Sequence, residues 1–118
     1  SGENDIAAAR PPETVAADFE KFMSEINQKL PGVPVIYISI KPSPARWALW
    51  PKMLTANVLL KASCERLAGC RFLDAASAML GEDGKPRPEL FRPDDGLHLS
   101  EQGYHLWSGL LAPLLRAR

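Results

Sequence analysis

The chain has 118 residues, 46% of them hydrophobic, with 14 Lys and Arg balanced by 14 Asp and Glu. That length suits one small domain and is too short for two, and zero formal net charge with dispersed basic residues creates no field that would gather polyanions, so nucleic acid is not an expected partner. The longest apolar stretches, 33–40 and 110–115, fall short of the roughly 18 residues needed to cross a bilayer, so no membrane span is expected.

Between Pro12 and Leu30, apolar Val15, Phe19, Phe22, Met23, Ile26 and Leu30 recur at three- and four-residue steps. This predicts an amphipathic helix with that face buried and Glu20, Lys21, Gln28 and Lys29 toward water. Pro31-Gly32 ends it. Residues 33–40 are β-branched and almost continuously apolar, which predicts a strand covered on both faces in a parallel sheet. Lys41-Pro42-Ser43-Pro44 then lies at the strand's carboxyl end.

Trp47, Leu49 and Trp50 lead to Pro51, which a first helical turn tolerates. Met53, Leu54, Val58, Leu59 and Leu67 carry a second amphipathic helix toward Gly69. Residues 71–75 read as another short strand and 81–88 as a turn-rich loop. In the last segment Ser100 is a candidate N-cap, with Leu106, Leu110, Leu111 and Leu114 continuing at helical spacing. Cys64 and Cys70 are six apart, neither a zinc spacing nor a redox Cys-x-x-Cys. The usual burial of free Cys favours two reduced structural cysteines over a disulfide.

Alternating strands and helices imply right-handed βαβ connections and a three-layer α/β arrangement. In such sheets ligands collect beyond the carboxyl ends of the strands. The loops beginning at Lys41 and after Asp74 should share that face. Ser43, Arg46 and Trp47 are therefore candidate substrate-rim residues. The competing reading is that Arg46 forms a surface ion pair while Trp47 and Trp50 pack under the loop.

Asp95-Gly96-Leu97-His98 puts a carboxylate and an imidazole three residues apart with glycine between them, a spacing that one tight turn can hold. Such a carboxylate accepts the Nδ1 proton, fixes the tautomer and leaves Nε2 free to take a proton from a serine hydroxyl. A metal site built from Asp94, Asp95, His98 and His105 is the weaker reading, because the two histidines are seven apart and no further His or suitable Cys completes a ligand set. No metal or other cofactor is expected.

Taken with Gly2-Glu3-Asn4-Asp5 at the amino terminus and with Gly103-Tyr104 and Trp107 after the turn, this motif resembles the SGNH (GDSL-like) hydrolase family. The resemblance implies a three-layer α/β/α, flavodoxin-like fold with five parallel strands, of which residues 1–118 would form the C-terminal portion of a single domain. It assigns Asn4 to the oxyanion hole and Asp95 and His98 to a Ser-His-Asp triad.

The family's Gly-Asp-Ser block is absent, and none of Ser1, Ser24, Ser39, Ser43, Ser63, Ser77, Ser100 and Ser108 has its Gly-Asp context. The implied protein is a serine ester hydrolase, a lipase or esterase of the GDSL type acting on a small ester, with its nucleophile supplied by sequence missing from this chain. The chain alone would be inactive. The implied partner is the missing N-terminal part of the same domain, without which the strand holding Ile36 and Ile38 would show an unpaired edge. Localisation stays open. The alternative is a non-catalytic carbohydrate- or ligand-binding module on the same fold, with Trp47, Trp50 and Tyr104 as a stacking surface.

Overall fold

A computed structural model describes residues 2–116, apart from the side chains of Glu3, Asp5 and Arg116. The first element is a five-residue helix, α1 (Glu3–Ala7), too short to announce itself by periodicity. Gly2 starts it from a left-handed conformation, φ 91°, and its carbonyl accepts from Ile6 N at 3.1 Å. A Cβ on Gly2 would approach Val15 Cγ1 to 3.0 Å and Ile40 Cδ1 to 3.1 Å. Only glycine supplies both that dihedral and that closeness. Ile6, 1% exposed, anchors α1 in the core.

The expected first long helix is α2 (Pro12–Lys29), opened by Pro12, whose missing N–H costs nothing in a first turn. It buries Val15, Ala16, Phe19 and Met23. Phe22 and Leu30 are corrections: Phe22 lies off this stripe and is 51% exposed, and Leu30, just past the helix end, is 52% exposed. Strands β1 (Val35–Ile38) and β2 (Cys70–Leu73) pair in parallel, with Val35 opposite Cys70 and Ile38 opposite Leu73. Both are shorter than the runs read from composition. At the start of β1, Pro34 has no N–H to give the ladder. At its far end, the N–H and C=O of Ile40 are taken by the Asn57 side chain, at 2.8 and 3.0 Å. Past β2, Asp74 caps α4 (Ala75–Ala78), accepting from Ser77 N at 3.1 Å.

Between β1 and the next helix the chain forms a 3-10 segment, Pro44–Leu49, in which Arg46 leaves helical geometry at φ −119°, ψ 26°. Helix α3 (Trp50–Arg66) then buries Trp50, Met53, Ala56, Asn57, Leu60, Ser63 and Cys64. Leu54 and Val58, expected on the buried face, are exposed. The apolar residues of α3 surround the helix, and its buried stripe is selected by contact with α2 and the sheet. Met23, Phe19, Tyr37, Ile40, Met53 and Leu60 share one core, where Tyr37 meets Phe19 edge-on with ring centroids 4.8 Å apart.

Ile36 and Ile38 line a cavity of about 300 Å³ together with Trp107 of the last helix, α5 (Glu101–Arg116). This sets α5 across the opposite face of the sheet from α2 and α3. A second, smaller core of Met79, Leu90, Phe91 and Leu99 receives Leu106 and Trp107, and the Trp107 indole N–H points to Met79 Sδ at 3.3 Å. Val35 N and Ser39 N donate toward the β2 side. By alternation the backbone groups of Ile36 and Ile38 face the other edge, along which no strand lies among the described residues. Among those residues, too, no helix is long and apolar enough to cross a membrane.

Cys64 and Cys70 form a disulfide, with Cα atoms 5.2 Å apart, which corrects the expectation of two reduced thiols. Cys64 sits in the last turn of α3, and the chain reverses through Gly69, at φ 76°, so that the first residue of β2 returns to it. Closing so short a loop restrains the unfolded chain by about 2 kcal/mol. Urea unfolding with and without dithiothreitol should therefore show a free-energy difference of about that size; coincident curves would mean that the bridge adds no stability.

Candidate active site

The loop from Phe91 to Leu99 closes on itself as an antiparallel bridge, with Arg92 N donating to His98 O at 2.9 Å and Gly96 N to Arg92 O at 2.8 Å. Gly96 makes the reversal possible by adopting φ 61°. Within this frame the two oxygens of Asp95 have separate duties. Oδ1 accepts from the backbone N–H groups of Leu97 at 2.9 Å and His98 at 3.1 Å, while Oδ2 lies 2.7 Å from His98 Nδ1. The His98 bond, followed by the Leu97 N–H, holds the Asp95 carboxyl down from 3.8 to about 2. In a neutral imidazole an anion there takes the Nδ1–H and places the lone pair on Nε2; the His98 side chain is 66% exposed. Asp94 turns instead to Arg92, at 2.8 Å.

The turn feeds into α5 through Ser100. Its hydroxyl donates to Glu89 O at 2.6 Å and accepts from Gly103 N at 3.2 Å, the expected N-cap role. Gly103 has a packing reason: a Cβ there would overlap the Leu90 carbonyl oxygen. The His98 turn is therefore braced on its C-terminal side by close contact between helix and loop.

On the other side, Ala45 N donates to Gly96 O at 3.0 Å. The next residue, Arg46, sends Nη1 to Asn4 Oδ1 at 3.0 Å. The loop beyond β1 thus bridges the amino-terminal block and the Asp95/His98 turn at the carboxyl end of the sheet. Asn4 is exposed at the start of α1.

Of the three residues expected at a substrate rim, Arg46 and Trp47 are half-buried, and Trp47 stacks on Trp50 at 6.1 Å and 12°. Ser43 is a correction. It is fully buried, and its hydroxyl has no hydrogen-bond partner among the described residues, so it presents nothing to a substrate. The Arg46–Asn4 bond spans 42 positions and has no local signal in the sequence. Asn57 does carry one, since a lone amide among Met53, Ala56 and Leu60 marks a polar demand in the core.

The Asp95/His98 pair thus lies on a loop at the carboxyl end of a parallel α/β sheet, where ligands of such sheets collect. The chain matches the GDSL-like Lipase/Acylhydrolase family over residues 1–106 and belongs to it. Among solved structures it is similar to a Streptococcus pneumonia protein provisionally described as a platelet activating factor, with TM-score 0.85 and 22% identity over 96% of this chain and 56% of that one. It is also similar to the esterase domain of the ZfL2-1 ORF1 protein from the zebrafish ZfL2-1 retrotransposon, with TM-score 0.78 and 27% identity over 92% of this chain and 61% of that one. No curated protein sequence matches it significantly. The fold is thus that of SGNH hydrolases, and the chain spans a little over half the length of these two structures.

Proposed function

We propose that the chain is the C-terminal part of a serine ester hydrolase, in which His98 is the proton shuttle, Asp95 its orienter and Asn4 an oxyanion donor. The nucleophilic serine comes from sequence upstream of Ser1. The observation that carries this reading is the division of labour at Asp95, one oxygen on its own turn and the other 2.7 Å from Nδ1, which pre-sets the tautomer that general-base catalysis needs. In acylation, the serine oxygen bonds to the ester carbonyl carbon as its proton passes to His98 Nε2. Collapse of the tetrahedral intermediate expels the alcohol oxygen, which takes that proton. Water repeats the sequence on the acyl-enzyme and releases the acid. An Asn4 Nδ2–H donor to the oxyanion would lower the barrier by on the order of 3 kcal/mol.

Two features support an upstream part of the same domain: the strand-free edge at Ile36 and Ile38, and the 56% and 61% of the similar structures that the chain spans. The decisive comparison is labelling by a fluorophosphonate of the 118-residue chain and of the polypeptide extended upstream. The extended, folded protein should label at one serine and hydrolyse p-nitrophenyl acetate, and the 118-residue chain should do neither. A folded extended protein that neither labels nor turns over would leave a binding module in place of an enzyme. Labelling within residues 1–118 would overturn the source of the nucleophile.

A further inference from the structure

Arg46 has no part in the reading above, yet its side chain reaches from the loop beyond β1 to the residue assigned to the oxyanion. Its Nη1 donates to Asn4 Oδ1 at 3.0 Å. A carboxamide has one acceptor end and one donor end, whereas a guanidinium can only donate. The contact therefore decides which way the Asn4 amide is turned: Oδ1 must face Arg46, and the Nδ2 amino group must face away from it. Without such a partner an exposed asparagine at the start of a five-residue helix is free to rotate between both orientations, one of which would present a lone pair to a developing negative charge.

The anchorage of Arg46 reinforces this role. The preceding residue is stitched by its backbone N–H to Gly96 O at 3.0 Å, so the arm that holds Asn4 springs from the same loop that holds the Asp95/His98 turn. Arg46 N also donates to Ser43 O at 3.3 Å, which ties the base of the arm to a fully buried residue.

We propose that Arg46 is a positioning residue that locks the Asn4 carboxamide with its amino group toward the reacting carbonyl and, by donating a charge-assisted bond to Oδ1, makes that amino group a stronger donor. The inference rests on the ester-hydrolase reading. It departs from the expectation that Arg46 touches substrate: its target is Asn4, and its effect should fall on turnover and not on substrate binding. Polarisation through a hydrogen-bonded chain strengthens each bond in it, and preorganised donors act chiefly in the transition state.

The test is a double-mutant cycle in the extended polypeptide with p-nitrophenyl acetate. Asn4→Ala should lower kcat roughly 10²–10³-fold. Arg46→Ala should lower kcat about tenfold or more with KM changed less than about twofold, the pattern of an interaction made only in the transition state. Arg46→Lys, which keeps a charged donor, should recover part of the loss. In the Asn4→Ala background, Arg46→Ala should cost almost nothing further.

A rise in KM at unchanged kcat would instead make Arg46 a substrate contact, and an equal loss in both backgrounds would make it independent of Asn4. Either overturns the proposal while the hydrolase reading stands. A second readout needs no turnover. The Asn4 side-chain amide proton resonances of ¹⁵N-labelled protein should shift on Arg46→Ala, and identical resonances in the two proteins would overturn the proposal even if the hydrolase reading had already failed.

Discussion

Asp95→Asn in the extended polypeptide should lower kcat by on the order of 10⁴-fold while leaving the fold and KM little changed. The size follows from the geometry of one turn. Asn at this position keeps an oxygen for the Leu97 and His98 backbone N–H groups, which now hold Oδ1 at 2.9 and 3.1 Å. Its other end, 2.7 Å from His98 Nδ1, becomes an amino group, which can only donate. Nδ1 must then accept, the ring proton moves to Nε2, and the nitrogen that should take a proton from the nucleophile already carries one. The turn survives and the tautomer is wrong. Steady-state kinetics with a circular dichroism control checks this; a loss of less than about tenfold would remove Asp95 from an orienting role, since a correctly held but reversed imidazole has no other route to basicity.

The same contacts fix the pH range over which the carboxylate acts. With its carboxyl held at about 2 against the ordinary 3.8, Asp95 ionises more readily in the folded than in the unfolded chain. Its contribution to stability is therefore complete above the unfolded value and is lost as the pH falls toward 2. Above about pH 4 the carboxylate is charged throughout, and the wild-type rate profile should carry no inflection from Asp95 in that range.

The Asp95/His98 pair was legible in the sequence because a single turn contains both groups, so spacing alone predicts their meeting. Local periodicity likewise reveals α2, α3, α5 and the two strands. What stayed hidden depends on contacts between distant segments. Asn4 and Arg46 are 42 positions apart, and nothing in either segment announces the other. The disulfide depends on how the chain reverses through Gly69, and a six-residue separation is compatible with both bridged and reduced cysteines. Phe22, Leu54 and Val58 are apolar without being buried, because the neighbouring helix and the sheet, not hydrophobicity alone, choose the stripe that faces inward. Ser43 shows the same limit: a serine between two prolines reads as an exposed loop, yet it is fully buried.

Asn57→Ala should lower the free energy of unfolding by roughly 2–6 kcal/mol, since a buried backbone donor and a buried acceptor each lose their only described side-chain partner at about 1–3 kcal/mol apiece. Asn57 is 6% exposed and Ile40 2%; Oδ1 accepts from Ile40 N at 2.8 Å and Nδ2 donates to Ile40 O at 3.0 Å. The side chain thus satisfies both polar groups of Ile40, two residues beyond the end of β1, as a neighbouring strand would. Asn57→Leu separates packing from hydrogen bonding: it refills the volume but leaves both Ile40 groups unpaired, so it should recover little of the loss. Asn57→Asp keeps the acceptor for Ile40 N and faces Ile40 O with a second oxygen when ionised, so it should be worse at neutral pH than below about pH 4, where a protonated carboxyl can donate again. Urea unfolding of the three variants, with hydrogen exchange at the Ile40 amide, measures each step. The consequence reaches the site, because Ile40 leads through Pro42 and Ser43 into the arm that carries Arg46 to Asn4, and an unpinned strand end would let that arm move. An Asn57→Leu variant as stable as wild type would show that the Ile40 groups find other partners and that β1 ends for a reason unrelated to this clamp.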